Sequence, residues 1–417
     1  MKSDTICAVP WMHLNIEPDG KVVPCCLTSR FQHYVGDLKN QSLEEIWNSE
    51  RMKGLRTEMM QGKKPKICSS CWDREAVSEH SQRLNHNRLN SKLLEEIPNI
   101  TTPDGHCNKM ELKYWDFRFS NLCNFKCRSC GSRYSSSWVP DHKKLYGIKQ
   151  EKVWTVTEVN NLPNYKFLEE QVKYVERIYF AGGEPLMMPE HWRILDMLVE
   201  NKRFDVEISY NTNASTLTYG NKNVLDYWSK WEYGKIGVWP SIDELGERAE
   251  LIRSGTNWKK IEENLKEIIS LKNITVRPCI TTAAWNVARL PEIMEYLIDL
   301  DVITKNDVSW LHYKNWFINL LEFPFHYHVS ILPDTYRKDV IKKLNNFIEI
   351  CKLKYNTDLH SEFSQILAEL EKPFNLNAAK EFVIVTDQLD EIRNEKLLEV
   401  IPEMEVVYNA VKYSNNS

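Results

Sequence analysis

Cys123, Cys127 and Cys130 stand with three and two residues between neighbours in the segment FSNLCNFKCRSCGSRYSS. Thiolates at that spacing can wrap a cuboidal iron–sulfur cluster and leave one of its irons without a protein ligand. A cluster ligated by four cysteines is suited to passing electrons. An open iron can instead chelate the amine and carboxylate of a small molecule and deliver an electron into it. Structural zinc wants four ligands, usually as two pairs with two residues between members. The triplet lacks that arrangement, and no nearby histidine completes it.

The chain has eleven cysteines, and a chain this long needs no disulfide staples for its core, so metal ligation or catalysis is the expectation. Cys7, Cys25 with Cys26, and Cys68 with Cys71 gather in the first 85 residues. Four thiolates saturate one cluster and serve electron relay or positioning. Four thiolates ending in C-x2-C also describe a zinc ribbon, so both metals stay open there. Cys107, Cys279 and Cys351 stand alone and read as small buried apolar residues.

The elements that must position these groups follow from pattern. At 417 residues, 42% hydrophobic and 27% charged, the chain suits two or three globular domains, and disorder is excluded as its main theme. No run of ~18 apolar residues offers a membrane span, and MKSDTICAVPW lacks the grammar of a signal peptide; a cytoplasmic protein is expected. A formal charge of -4 leaves no footprint of general nucleic-acid binding.

Residues 1–85 read as a small cysteine-bearing module. Extended runs flank the turn Pro18-Asp19-Gly20. Ser42 and Glu45 form a capping box, and Ile46, Met52, Leu55 and Met59 make a helical stripe. The module closes with CSSCW, and residues 86–110 are polar and read as a linker. Over 111–320, strands (ELKYWDFRF, VERIYFAGG, DVEISYNTNAS, KIGVWPSID, ITVRPCITT) alternate with helices such as PEHWRILDMLVENK and WKKIEENLKEIISLK. That grammar predicts an α/β fold, a parallel sheet or barrel with functional groups at the carboxyl ends of its strands. Residues 321–417 form a mostly α C-terminal extension.

The C-x3-C-x2-C loop after a first barrel strand resembles the radical S-adenosyl-L-methionine (SAM) superfamily, and Gly182-Gly183-Glu184-Pro185 after RIYFA is similar to that superfamily's GGEP motif. The resemblance implies a partial (β/α)6 TIM-like barrel and a core [4Fe-4S] cluster with three cysteine ligands, Cys123, Cys127 and Cys130. It also implies SAM on the open iron. Backbone at Gly182 and Gly183 would approach the methionine moiety, which glycine permits, and Glu184 would accept from its ammonium. Asn213 in NTNAS, Ser241 in SID and Arg253 in LIRSG are similar to positions near the ribose and carboxylate, although polar residues at strand ends also cap helices. Ser129 stands where this superfamily often has an aromatic, which shifts adenine contact to backbone groups.

Cys7, Cys25, Cys68 and Cys71, with W-x-H-L-N-I-x-P-D-G-K-V-V-P-C and S-L-E-E-I-W, resemble a Twitch or SPASM auxiliary domain. There a small N-terminal β-hairpin/helix domain frames a second [4Fe-4S] cluster with four cysteine ligands. Such domains usually follow the barrel; here the module precedes it. The resemblance favours Cys25 over Cys26 as ligand and makes His13 a framework residue. It implies reductive cleavage of SAM to a 5'-deoxyadenosyl radical that abstracts hydrogen from an unknown substrate, a small molecule, sugar or peptide. Dehydrogenation and bond formation on a peptide are both compatible outcomes. A flavodoxin- or ferredoxin-type protein would donate the electron, and Asp243, Asn286 and residues 323–328 are side chains for the mouth. The alternatives are a non-catalytic iron–sulfur protein for electron transfer or redox sensing, and a zinc-bound docking module beside the barrel.

Overall fold

In the computed structural model, which describes residues 4–31, 33–76, 81–147, 165–302, 317–356 and 359–414, the chain is an α/β protein. It divides into two units, Met1–Asn121 with Trp154–Ser209, and Leu122–Val153 with Tyr210–Ser417. Each has its own strands and helices.

In the first unit the turn at Pro18-Asp19-Gly20 closes a hairpin. Strands His13–Ile16 and Lys21–Val23 pair antiparallel, and Gly20 takes a φ of 80° that glycine adopts without strain. The hairpin is not free-standing. His13–Ile16 runs parallel to Tyr114–Phe117, with His13 opposite Tyr114 and Ile16 opposite Phe117. Tyr114–Phe117 in turn pairs parallel with Arg177–Phe180, and Gly36–Asp37 continues the sheet beyond Lys21–Val23. The amino-terminal hairpin therefore extends the sheet begun by the first barrel strand. All four residues of His13–Ile16 are buried, as parallel strands covered on both faces are.

The helical stripe from Ile46 to Met59 is carried by two helices. Ser42 and Glu45 complete the capping box of Leu43–Trp47, and Ser49 caps Glu50–Met60. Arg56 is buried at their centre. Its Nε donates to Pro10 O at 2.9 Å and its Nη1 to Asn48 Oδ1 at 3.0 Å, and its guanidinium lies 4.6 Å from the Trp47 ring, a cation–π contact strengthened by burial. The polar stretch read as a linker contains helix Ser91–Ile100 and the second half of helix Gln82–Leu89.

In the second unit, Ile236–Pro240 pairs parallel with Ile274–Val276, and Cys279–Thr282 with Phe317–Leu320. The sequence run ITVRPCITT is thus two strands with different partners. Pro278 falls in the break, where its missing N–H cannot serve a ladder. Helices Asp334–Tyr355, His360–Leu370 and Leu376–Arg393 form most of the tail. Their Leu344, Phe363 and Phe382 share one hydrophobic core with Ile280, Leu265 and Leu297 of the strand–helix region. Among the described residues no helix is long and apolar enough to cross a membrane.

His13 links the hairpin to its parallel neighbour. Its Nδ1–H donates to Tyr114 O at 2.9 Å, its ring stacks on Tyr114 at 4.5 Å, and His86 meets the same ring at 5.6 Å. Burial, more than anything else, pushes His13 down to about 4 and His86 down to about 3. Both charge near pH 6.5 in an unfolded chain, so their contribution is complete above that pH and is lost as pH falls toward the folded values. Between pH 7 and 5 each should cost the apo-protein about 2 kcal/mol at about 1.4 kcal/mol per pH unit below 6.5. The urea unfolding midpoint should fall accordingly, and His13→Gln should remove about half of the loss. A midpoint equal at both pH values in the wild type would contradict the assignment.

Candidate metal centres and cofactor site

In the second unit the cysteine loop is anchored at its middle. Lys126–Cys127 pairs antiparallel with Arg253–Ser254, placing Arg253 opposite Cys127, and the Arg128 N–H donates to Ile252 O at 2.8 Å. Trp138 Nε1 donates to Cys127 O at 2.7 Å, the Cys130 N–H donates to the same carbonyl at 2.9 Å, and Ser137 Oγ donates to Cys123 O at 2.7 Å. Gly255 ends the pairing with a φ of 103°, and a Cβ there would lie 2.6 Å from Asn124 O. None of the three cysteines is in a disulfide, and all three are partly exposed. Burial and then the neighbouring Cys127 push Cys130 up to about 12, and burial raises Cys127. As thiolates they need positive charge, which a metal supplies.

Among the described residues no three His, Cys, Asp or Glu side chains stand close enough to hold one metal ion. The thiolates of a cuboidal cluster each bind a different iron and are not required to converge on one point.

Arg253 and Asn213 are brought against this loop. Asn213 Nδ2 donates to Asn124 Oδ1 at 2.9 Å and lies 4.0 Å from Cys123 Sγ. Arg253 Nη1 donates to Asp243 Oδ2 at 2.7 Å. Burial opposes its charge, but Cys127, Asp243 and Cys123 outweigh burial and hold the guanidinium above its usual range. Asp243 is itself fixed, accepting from the Thr281 N–H at 2.7 Å, while Asn286 Nδ2 donates to Asp243 O at 2.7 Å. Expected at the mouth, Asp243 and Asn286 are instead buried and occupied in orienting Arg253. Of residues 323–328, His326, Tyr327 and His328 are buried, and Phe323 and Phe325 are exposed. Ser241 stands just after strand Ile236–Pro240, bridged to Cys279.

The GGEP segment lies in the first unit, after strand Arg177–Phe180. Gly182 has a φ of 119°, and a Cβ there would approach Ser120 O to 3.3 Å. The Gly183 N–H donates to the same carbonyl at 3.3 Å. Glu184 is buried, and its Oε1 accepts from the Leu186 N–H at 3.2 Å, capping the turn Pro185–Met187. The carboxylate is therefore held in one orientation by its own turn.

Cys7, Cys25, Cys68 and Cys71 line one cavity in this unit, together with Arg83 and His86. Cys26 is not among the lining residues; it hydrogen-bonds Cys25 and feels Asp116 and Arg118. Burial pushes both Cys7 and Cys68 up to about 12. Helix Gln82–Leu89, unassigned by sequence reasoning, clamps the segment bearing Cys7. Arg83 Nη1 and Asn87 Nδ2 both donate to Ile6 O, at 2.9 and 2.8 Å, and Asn87 Oδ1 accepts from the Ala8 N–H at 2.9 Å. Arg83 is held in place by Glu75 and by the Trp72 ring, 4.6 Å away. The legible signal was Ser81 as an N-cap, with Arg83 and Asn87 four apart on one helix face.

Gly182→Ala should strain the backbone by about 1–3 kcal/mol and press on Ser120. The expected outcome is a lower melting temperature and loss of the thermal shift that SAM gives the reconstituted wild type; an alanine variant with an unchanged SAM shift would remove this loop from the cofactor site.

Residues 117–299 match the model of the Radical SAM superfamily, and residues 7–72 match SPASM, an iron–sulfur cluster-binding domain. Among solved structures, native anSMEcpe with bound AdoMet is similar at 16% identity and a TM-score of 0.38, covering 59% of this chain and 61% of that chain. SuiB of Streptococcus suis bound to the precursor peptide SuiA is similar at 12% identity and a TM-score of 0.38, covering 86% and 74%. The chain thus spans about three-fifths of the length of anSMEcpe, and likeness this distant decides nothing by itself. Among curated proteins nothing matches. The two matched segments contain the cysteine sets described above, so the chain carries a radical SAM domain over residues 117–299 and a SPASM iron–sulfur domain ahead of it over residues 7–72.

Proposed function

We propose that this is a cytoplasmic radical SAM enzyme that cleaves SAM reductively at a [4Fe-4S] cluster on Cys123, Cys127 and Cys130, with a second [4Fe-4S] cluster on Cys7, Cys25, Cys68 and Cys71. The observation that carries the reading is the anchored loop, on which Cys127 pairs with Arg253 while Asn213 reaches to within 4.0 Å of Cys123 Sγ. Three thiols on a loop fixed by backbone pairing are a donor set that fits an open cluster. A cluster bound there supplies the electron that splits SAM into methionine and a 5'-deoxyadenosyl radical, which takes a hydrogen atom from the substrate.

The chain's own residues bind and orient. Arg253, paired with Asp243 at 2.7 Å, is suited to a carboxylate. Asn213 and Ser241 offer polar groups to the ribose. Gly182 and Gly183 leave backbone open to the methionine moiety, with Pro185 starting the turn behind them, and Glu184 accepts from its ammonium. Ser129 brings no ring to the adenine, which then packs against backbone. At the auxiliary site the shared cavity supports Cys25 over Cys26. The substrate is a small molecule, sugar or peptide, and a flavodoxin- or ferredoxin-type protein is the electron donor.

Dithionite and SAM added to anaerobically reconstituted protein should yield 5'-deoxyadenosine and methionine. Intact clusters with no 5'-deoxyadenosine would leave the non-catalytic electron-transfer reading in its place.

Iron analysis separates the auxiliary ligands. The wild type should carry about eight irons per chain, Cys25→Ala about four, and Cys26→Ala about eight. Equal losses from both substitutions would contradict the assignment of Cys25 alone.

A further inference from the structure

Between Cys127 and Cys130 lie Arg128 and Ser129. The Arg128 side chain is fully buried, at 0% exposure. A buried guanidinium needs partners, because its charge is far costlier out of water than at the surface. Two carboxylates from more than 250 positions along the chain provide them. Nη2 donates to Asp390 and to Glu395, the latter at 2.8 Å. Nε and Nη1 find no acceptor among the described residues, so this charge is balanced at one nitrogen alone.

The carboxylates are presented by the end of helix Leu376–Arg393. Asp390 Oδ2 accepts from the Leu397 N–H at 2.7 Å. Asn394 closes the helix with a φ of 53°, and the Glu395 N–H returns to Asp390 O at 3.0 Å, which folds Glu395 back toward Arg128. Glu395 also accepts from Ser254 Oγ, and Ser254 is the partner of Lys126 in the pair that anchors the loop. A second set of contacts runs alongside. Arg393 Nε donates to Asp141 Oδ2 at 2.8 Å, and Asp141 is 3.2 Å from Lys126 Nζ. The Arg393 guanidinium lies 4.6 Å from the ring of Trp138, whose Nε1 holds Cys127 O. Residues 126, 127 and 128 are each tied to the turn 390–395 directly or through one intermediary.

Taking the core cluster as proposed above, we infer that Asp390, Arg393 and Glu395 are positioning residues for it. The helical tail fixes the loop of Cys127 and Cys130, and its two carboxylates set the charge beside the cluster through Arg128. Their neutralisation leaves Arg128 short of a counter-charge next to the ligands, which loosens the loop and favours the reduced, more negative cluster.

The test uses the full chain, reconstituted anaerobically, as wild type, Asp390→Asn, Glu395→Gln and the triple variant Arg128→Gln/Asp390→Asn/Glu395→Gln, in which the Arg128 charge and both of its counter-charges are removed together. Glu399→Gln is the control, since its pair with Lys396 is solvent-exposed on both sides. The readouts are iron loss to a chelator and the midpoint potential of the part of the EPR signal that SAM perturbs. Asp390→Asn and Glu395→Gln should release core iron about tenfold faster than wild type and shift the potential upward. The triple variant should keep the wild-type circular dichroism yet release iron faster, which separates loop positioning from folding. Glu399→Gln should behave as wild type. Wild-type release and potential in both single variants and the triple variant would overturn the inference. A wild type with no SAM-perturbed signal would overturn the core-site reading, and the inference with it.

Discussion

The antiparallel pairing of Lys126–Cys127 with Arg253–Ser254 is the contact on which the core site depends. It is only two residues long on each side, yet it sets four things at once. Cys127 is fixed within the loop. Arg253 is turned toward the thiols and Asp243. Ser254 meets the carboxylate that balances Arg128. Gly255 must follow, because the backbone passes so close to Asn124 that no side chain fits. A short ladder of this kind has little stability of its own. It persists because Trp138, Ser135 and Ser137 each satisfy a carbonyl of the loop, so those three backbone groups are paired without metal.

The first unit solves a different problem, joining a small cysteine module to a barrel sheet. Parallel addition of His13–Ile16 to Tyr114–Phe117 makes the junction a run of backbone hydrogen bonds, and it buries polar side chains at the carboxyl ends of both strands. Asn15, Glu17 and Asp116 are all 0% exposed. Arg118 stands among them, 3.8 Å from Glu17 and 3.5 Å from Asp116. Its charge is held above the usual range by these carboxylates against the cost of burial. On one side this seam reaches Cys26. On the other, Arg118 backs the position where a Cβ on Gly182 would sit. A single buried ion cluster thus connects the module's cysteine hairpin with the GGEP loop. Buried pairs of this kind add little net stability but penalise any arrangement that separates them, so the seam fixes the register of the junction.

What was legible in the sequence was local. Pro18-Asp19-Gly20, the Ser42–Glu45 capping box and the strand-ending glycines each act over a few residues, and each formed as its chemistry requires. The cysteine spacing was legible for the same reason, since a metal site reads ligands and loops. Pro278 carried the break in ITVRPCITT in plain view, but two short β-rich runs without a turn between them read as one. The pairing of residues 13–16 with 114–117 had no local signal, because a parallel partner is chosen by burial and register far along the chain. The contacts of Arg128 were equally hidden. A charged residue between two cysteines reads as solvent-facing until the tail that covers it is folded.

Both cysteine sets share one electrostatic condition. Cys7, Cys68 and Cys130 are each pushed up to about 12, chiefly by burial, so the apo-protein holds neutral thiols at neutral pH. A thiol whose folded value lies above its unfolded one contributes stability at and below neutral pH and loses it as pH rises through the unfolded value toward the folded one. Metal binding reverses the sign, since the ligand is the thiolate and every ligation displaces a proton. The apo fold is thus most at ease under conditions where the sites bind metal least. The clamp of Arg83 and Asn87 on the Cys7 segment, and of the 390–395 turn on the Cys127 loop, lets each site stay formed across that conflict. The anchors must come from outside the ligand loops, because a loop that relied on its own thiols for shape would have none until the metal arrived.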